Sequence, residues 1–375
     1  MMSMFSLCLK LESIDIRNLD TSRVTNMARV FSGCTSLISV DVSKFQTEEV
    51  DRMDDLFQQC GKITSLDLSK WSTDKVNAMG NMFDGCYSLR ELDLSSFRTP
   101  LVQSMYEMFQ NCSSLTNLDI HNFDLSEVYD IDKMFRKCSS LRSLDLRSFG
   151  EAPKLSGMNY VFEDCISLTS LDLSNFSVEP RYFTGAFKNC TSLTELKIPY
   201  INPDALYPTS IFEDCHSLKS LDLRSFKMEG VITLGSMFKN CYSLTSINLS
   251  NLDTDSLMVM SSMFESCGKL TSLDLSHFVT SRVTDMDSMF KNCTGLEYLK
   301  LNFNTENVRD MKYMFASCVK LTSLDISSFN TMKCTDFNHT FEDDNNLHLT
   351  IDSKYCSNLK PHIPEYVEVT DLNDN

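Results

Sequence analysis

The sequence is poor in the residue patterns that build catalytic, metal and cofactor sites. Its six His include no pair at metal-ligand spacing, and no Cys-x-x-Cys pair occurs. There is no Gly-rich phosphate loop, no Gly-x-Ser-x-Gly elbow and no His-Glu-x-x-His. We therefore expect a protein that is not an enzyme, with no catalytic residues, no metal site and no cofactor.

Other scarcities exclude whole classes of protein. With only 11 Gly and 8 Pro the chain is not collagen-like. It contains no run of 18 apolar residues, so we expect no membrane insertion. Lys and Arg total 34 against 51 Asp and Glu, a net charge of −17. Because phosphate recognition needs clustered Lys and Arg, we expect no nucleic-acid partner, and a charged partner would be basic.

What the sequence has in abundance is one repeated pattern, M-F-x-x-C-x-S-L-x-S-L-D-L-S-x-F-x-T-x-x-V-x-x-M-x-x-M-F. We call the set of equivalent positions in successive copies a column. The Cys column is Cys8, Cys34, Cys60, Cys86, Cys112, Cys138, Cys165, Cys190, Cys215, Cys241, Cys267, Cys293 and Cys318, spaced by 25 to 27 residues. A Phe precedes each of these Cys by three residues, and a further copy keeps Phe341 but has Asp344 at the Cys position. Such a period predicts a solenoid.

Each copy contains two structural signals. Residues 66–69 alternate apolar and polar side chains, which is typical of a strand with one buried face. Residues 76–83 place apolar side chains at three- and four-residue steps, which predicts a short helix, and Thr73 is positioned to cap it. The sequence therefore predicts an α/β solenoid, a leucine-rich-repeat-like array of about 14 strand-plus-short-helix coils with a parallel sheet on one face.

The stretch from Cys267 to Phe290 carries a family likeness. It reads C-G-K-L-T-S-L-D-L-S-H-F-V-T-S-R-V-T-D-M-D-S-M-F. It resembles the BspA-type leucine-rich repeats and the closely similar 26-residue repeat of bacterial surface proteins. The resemblance covers roughly residues 1–350, and it implies a non-enzymatic, protein-binding solenoid that serves as an adhesion or host- and matrix-interaction module, displayed on a cell surface or secreted.

The pattern also predicts the domain organisation. We expect one array at 1–350, degenerate at 146–212, followed by a C-terminal cap and polar tail at 351–375. The chain opens inside a repeat, and its first residues lack a basic segment and a cleavage signal, so we expect no signal peptide. That leaves an intracellular scaffold or effector in the cytoplasm as the alternative. The apolar first coil predicts either an absent upstream part or edge-to-edge self-association at an uncapped N-terminus.

The Cys column has two interpretations. A disulfide framework is disfavoured because the column is odd in number and evenly spaced. In-register side chains would also be separated by about the strand spacing, above the ~3.8 Å between Cβ atoms that a disulfide prefers. The interpretation we favour is a ladder of small buried thiols packed between coils.

A column of Asp residues lies between inward apolar residues, so these carboxylates should point outward from the sheet. It comprises Asp15, Asp41, Asp67, Asp93, Asp119, Asp145, Asp172, Asp222, Asp274 and Asp325. Like charges one strand apart repel by about 1 kcal/mol. Without compensation this repulsion would raise the folded-state pKa values, so that stability would increase as pH falls. Hydroxyl and backbone donors, bound cations or a basic partner would offset it.

The candidate ligand face follows from this column and from one irregular stretch. Solenoids bind on their sheet surface, although a solvated acidic stripe that keeps the sheet soluble is the plainer interpretation. Prolines between 150 and 210 break the phase of the repeat, and Tyr on the resulting loops would suit partner contact. The alternative is that the sequence has drifted in a loop that tolerates change. The candidates are Asp41, Asp67, Asp93, Asp119, Asp145, Asp172, Tyr182, Tyr200 and Tyr207.

Overall fold

The computed structural model describes residues 1–176, 178, 180–198, 207–226 and 229–373. The chain divides into two compact units, Met1–Ile201 and Asn202–Asn375. Each unit is a parallel β-solenoid in which one copy of the repeat makes one coil. The two units together contain about 13 coils. The division into an array at 1–350 and a cap at 351–375 stays a prediction.

Short strands recur where the S-L-D segments lie, because each turns one apolar side chain inward between two exposed polar ones. The first unit contains β1 (Ser13–Ile14), β2 (Ser39–Val40), β3 (Ser170–Asp172) and β4 (Glu195–Lys197). The second contains β5 (Ser220–Asp222), β6 (Ser246–Asn248), β7 (Ser272–Asp274), β8 (Tyr298–Lys300), β9 (Ser323–Asp325), β10 (His348–Ile351) and β11 (Glu368–Asp371).

All the strand pairs are parallel and in register with the repeat. The pairs are β1–β2, β3–β4, β5–β6 and β7–β8, and β10 lies between β9 and β11. Leu221 of β5 lies opposite Ile247 of β6, so equivalent residues of successive coils face one another. This register confirms the stacking on which the columns depend.

Helices are almost absent. Within the described ranges, the one α-helix is α1 (Ser353–Cys356), whose Asp352 side chain accepts the Lys354 N–H at its start. Two single turns of 3-10 helix lie at Arg147–Phe149 and Lys360–His362. In the coils that the structure describes, turns therefore stand where the sequence predicts a short helix.

Tandem turns replace those helices, because alternate backbone N–H groups bond to the next coil. Met53, Asp55 and Phe57 each donate to the carbonyl 25 residues further on, at 2.9–3.0 Å. The intervening Leu56 N–H closes a turn on the Met53 carbonyl at 3.3 Å. Asp55 and Gln59 adopt φ of 57° and 60° to make this alternation. A helix would keep all of these N–H groups within one segment, leaving nothing to join the coils.

Thr73 also acts between coils and not as a helix cap. Its buried hydroxyl donates to the Arg98 carbonyl at 2.5 Å and accepts the Arg98 N–H at 2.8 Å. Thr47 makes the same two bonds with Ser72, at 2.9 and 2.8 Å. Among the described residues, the ladder is interrupted where the equivalent residues are Leu125, Ala152 and Val178.

The core consists of stacked Phe and Cys columns. Phe31, Phe57, Phe83, Phe109 and Phe135 are fully buried, with neighbouring ring centroids 5.4–6.0 Å apart. Beside them, each thiol of Cys60, Cys86, Cys112 and Cys138 donates to the Phe carbonyl of the preceding coil at 3.1–3.3 Å.

The cysteines form no disulfide bonds. All 15 cysteines are unbridged, and every one except Cys8 is buried. Burial raises the pKa of Cys138 and of Cys293 to about 12. The column is therefore a ladder of thiol donors, without disulfides and without reactive thiolates.

We expect Phe83→Ala to lower the free energy of unfolding by about 3–5 kcal/mol, because it leaves a cavity between two stacked rings. Thermal and urea unfolding would measure this loss. Tyr87→Ala, at a side chain that is 46% exposed, is the matched control and should change stability little. Equal losses in the two variants would contradict the stacked core.

Candidate ligand-binding surface

We call the strand face the surface formed by the Asp column together with the residues two before and two after each Asp. All six Asp candidates, Asp41, Asp67, Asp93, Asp119, Asp145 and Asp172, are exposed in the first unit. The alternation of the strand positions them, since the apolar residue on either side of each Asp (Leu, Val or Ile) is buried. The carboxylates thus line one face of the coils, as the sequence predicts.

Each carboxylate is held by the residue two positions further on. Asp67 Oδ1 accepts the Ser69 N–H at 3.2 Å and the Ser69 hydroxyl at 2.7 Å. Asp41 makes the same pair of bonds with Ser43, at 3.1 and 2.7 Å. The short Asp side chain reaches the backbone two residues ahead, as in an Asx turn. Local donors therefore offset the charge without any partner.

Cations neutralise several other members of the column. In some coils the residue two positions on is Arg, and in two coils a Lys in the Asp column reaches back to the preceding Asp. These pairs, at 2.6–3.2 Å, are Asp15–Arg17, Asp145–Arg147, Asp222–Arg224, Asp172–Lys197 and Asp274–Lys300. Lys197 and Lys300 occupy positions of the Asp column in the sequence, and that place is the signal from which these two ion pairs could have been predicted.

These donors lower the pKa values of the strand-face carboxyls, so the repulsion that would raise them without compensation is offset by donors within the protein. The hydrogen bond from Arg17 lowers the pKa of Asp15 to about 2. Bonds from Arg147 lower the pKa of Asp145 to about 2, and the Ser69 hydroxyl lowers that of Asp67. Donation to the ionised form outweighs repulsion between neighbouring coils.

One stretch of the strand face relies on Ser donors and not on ion pairs. Among the described residues, no Lys or Arg forms an ion pair with Asp41, Asp67 or Asp93, which rely on Ser43, Ser69 and Ser95 instead. Glu91 precedes Asp93 by two residues and is also exposed. We call Asp41, Asp67, Asp93 and Glu91 the acidic block; they carry four negative charges on one face.

Shallow hollows lie along the strand face of each unit. In the first unit a hollow of about 550 Å³ adjoins the acidic block, lined by Glu91, Asp93, Asn117, Asp119 and Asp145 among others. In the second unit a hollow of about 680 Å³ is lined by residues that include Asn248, Asp274, His277 and Tyr298. Both have a polar wall at the Asp column and could take a side chain from a protein partner.

Of the Tyr candidates, Tyr182 lies away from this surface. Tyr182 is 59% exposed, but its backbone pairs with Gly157, in the ladder that continues through Asp130 and Ser104. That ladder is separate from the one formed by the strands. Tyr207 lies in the second unit and is 60% exposed, and Tyr200 lies outside the described residues.

The first coil presents an apolar surface. The first coil exposes Met2, Met4, Leu7 and Leu9, each by more than half. Its edge-to-edge association stays a proposal.

Within the described ranges, no cluster of three or more His, Cys, Asp or Glu side chains is arranged to hold a metal ion. In the same part of the chain, no helix combines the length and the apolar character needed to cross a membrane.

Comparison with known proteins gives one family and a fold. The family model described as "Mycoplasma protein of unknown function, DUF285" matches residues 1–118, 103–197, 208–299 and 274–373. No curated protein matches the chain. A leucine-rich repeat protein of Bacteroides ovatus has a similar structure, with 21% identity and a TM-score of 0.53, covering 92% of this chain and 86% of that one. This likeness confirms the leucine-rich-repeat fold.

A second structure is more distant. A leucine-rich cell surface protein of Faecalibacterium prausnitzii has a TM-score of 0.40 at 16% identity, covering 84% of this chain and 80% of that chain. The specific resemblance to BspA-type repeats stays a proposal.

Acidification should destabilise the solenoid through the strand face. Asp15, Asp145 and Asp274 have folded-state pKa values of about 2, below the ordinary 3.8, so their contribution is present above about pH 4 and is lost as pH falls towards 2. We expect the thermal midpoint to fall over that range, and to fall less in an Asp15→Asn, Asp145→Asn, Asp274→Asn variant. A midpoint that rises on acidification would restore the repulsion hypothesis.

Proposed function

Because the chain belongs to the family described as "Mycoplasma protein of unknown function, DUF285", whose description assigns no activity, we propose its function from its surface. We propose that it is a non-enzymatic protein-binding module. Its ligand face is the strand face, and its partner is a protein that presents basic side chains. The acidic block of the first unit is the observation that carries this proposal.

The strand face is already ordered for binding. Its carboxylates are fixed by bonds such as those from Ser43 and Ser69, so a partner would meet acceptors whose positions are set beforehand. Coils that pair as parallel strands repeat about every 4.8 Å, which spaces the carboxylates evenly along the face. Preorganised groups lose little conformational freedom on binding, and this favours affinity.

Charge complementarity selects the partner. The acidic block has local hydroxyl and backbone donors but no ion-paired cation among the described residues, whereas other coils of the same unit have ion pairs to Arg17 and Arg147. Each carboxylate retains acceptor capacity, which Lys or Arg of a partner would use in charge-assisted bonds. The net charge of −17 would also speed encounter with a basic protein and make binding weaken with salt.

The biological setting is part of the proposal. The resemblance to bacterial surface repeats supports display on a cell surface or secretion, with adhesion or host and matrix interaction as the role. An intracellular scaffold or effector is the second candidate, favoured by the unbridged thiols. Labelling of intact cells with a membrane-impermeant amine reagent distinguishes them: a surface protein is labelled, and an intracellular one reacts only after lysis.

Binding is tested by removing the charges of the acidic block. In Asp41→Asn, Asp67→Asn, Asp93→Asn, we expect affinity for the natural partner to fall at least roughly tenfold, or ~1.4 kcal/mol, with a weaker salt dependence. The partner is first identified by proteomic pull-down and then measured with purified protein.

The matched control carries the same change in charge away from the strand face. Glu48→Gln, Asp74→Asn, Glu151→Gln alters three exposed acids of the first unit, and it should bind like the parent. Equal weakening in both triple variants would show that only net charge matters. A partner that binds all three proteins equally would contradict the strand face as the site.

A further inference from the structure

The last copy of the repeat places an acid where the others place a thiol. Asp344 is 1% exposed, and both of its carboxyl oxygens are buried without a hydrogen-bond partner among the described residues. An ionised carboxylate in that position would be strongly destabilising. The proposed function makes no use of this group.

The equivalent thiols show what the position requires. Cys293 Sγ donates to the Phe264 carbonyl at 3.1 Å, and Cys318 Sγ donates to the Phe290 carbonyl at 3.2 Å. The matching carbonyl for Asp344 belongs to Phe315. A protonated carboxyl has one O–H donor, as a thiol has one S–H, whereas a carboxylate can only accept. Only the protonated acid can therefore replace the thiol.

Asp344 also lies beneath the C-terminal segment, which we define as residues 345–373. The Tyr366 hydroxyl accepts the Asp343 N–H at 3.2 Å and donates to the Phe341 carbonyl at 3.2 Å. The Leu347 N–H donates to the Asp344 carbonyl at 3.1 Å, and the Leu347 carbonyl accepts the Glu368 N–H of β11. The segment is thus anchored immediately around the buried acid.

We propose that Asp344 is a pH-dependent latch: protonated, it donates its O–H to the Phe315 carbonyl and holds the C-terminal segment closed. When the proton leaves to solvent, a carboxylate faces the carbonyl oxygen. The segment then loosens, giving the carboxylate access to water and exposing the edge of the last coil.

Burial raises the pKa of Asp344 to about 7, and the Asp343 charge adds to this. The nearby backbone N–H of Cys318 opposes the rise, although its geometry does not make it a hydrogen-bond partner of the carboxyl. The folded-state pKa therefore lies above the ordinary 3.8. The stabilisation is complete below about pH 4 and is lost as pH rises through about 7. The latch tightens on mild acidification and is loosest above about pH 8.

Other titratable groups surround the latch and must be separated from it. Cys318 precedes Asp344 in the thiol column, and the Tyr366 phenol and Asp343 lie beside it. Two His side chains form nearby pairs, His339–Glu342 and His348–Glu368, each at 3.3 Å, and His362 packs on Phe337. Histidine as a residue type changes charge between pH 5 and 8.

Hydrogen exchange of residues 345–373 tests the latch in the full chain. After correction for the intrinsic pH dependence of exchange, we expect protection to fall at least roughly tenfold from pH 5.5 to pH 8. In Asp344→Cys, which restores the thiol column, protection should be high and independent of pH. Asp343→Asn, His339→Gln, His348→Gln and His362→Gln should each keep the dependence of the parent.

Infrared spectroscopy gives a second readout that does not depend on the stability of any one variant. The parent should show a protonated-carboxyl band at pH 5.5 that disappears by pH 8, and Asp344→Asn should lack it. The proposal is overturned if the parent lacks this band, if its protection does not change with pH, or if Asp344→Cys shows the same loss of protection as the parent.

Discussion

Every coil of this protein is held by contacts to its neighbours at a fixed step along the chain, so each residue type must be able to pack against itself. Phe meets this condition by stacking, as the rings of Phe57, Phe83 and Phe109 show. Thr meets it because one hydroxyl both donates and accepts, and the Thr73 hydroxyl does both with the next coil. Cys does so by donating to a backbone carbonyl, so that no thiol depends on another. Asp is the exception, and its column is tolerated because each coil supplies its own donors.

Much of the fold could be predicted because the columns are visible in the sequence. The repeat gave the register, the buried Phe and Cys, and the outward Asp. The helix prediction failed because residues 76–83 fit a helical stripe and a run of turns equally well. What decides between them is whether the N–H groups of one coil donate to carbonyls of the next coil, and no local sequence pattern contains that information. Residues with positive φ, such as Asp55 and Gln59, carry no glycine signal that would have revealed the turns.

The candidate site was predictable in position but not in electrostatics. Exposure of Asp67 and its equivalents follows from strand alternation. The direction of their pKa shifts depends on donors two residues away. The sequence shows the Ser residues that provide these donors, but it does not show whether their hydrogen bonds outweigh the repulsion between carboxylates. Tyr182 was grouped with the Asp residues because it lies in an irregular stretch, yet the backbone assigns it to another ladder. Asp344 was recognised only as a departure from the Cys column, because the three-dimensional structure is needed to show that both carboxyl oxygens lack a hydrogen-bond partner among the described residues.

The turn hydrogen bonds give each stack a chemical direction. Arg29, Phe31 and Gly33 all donate their N–H groups to carbonyls of the following coil. One side of the turn surface of any coil therefore carries donors, and the other side carries acceptors. Two copies that met through the same side would set oxygen against oxygen, whereas unlike sides would complement each other. Association through the turns is thus restricted to head-to-tail geometry, which forms a closed ring only if the rotation between copies allows it and otherwise grows without limit.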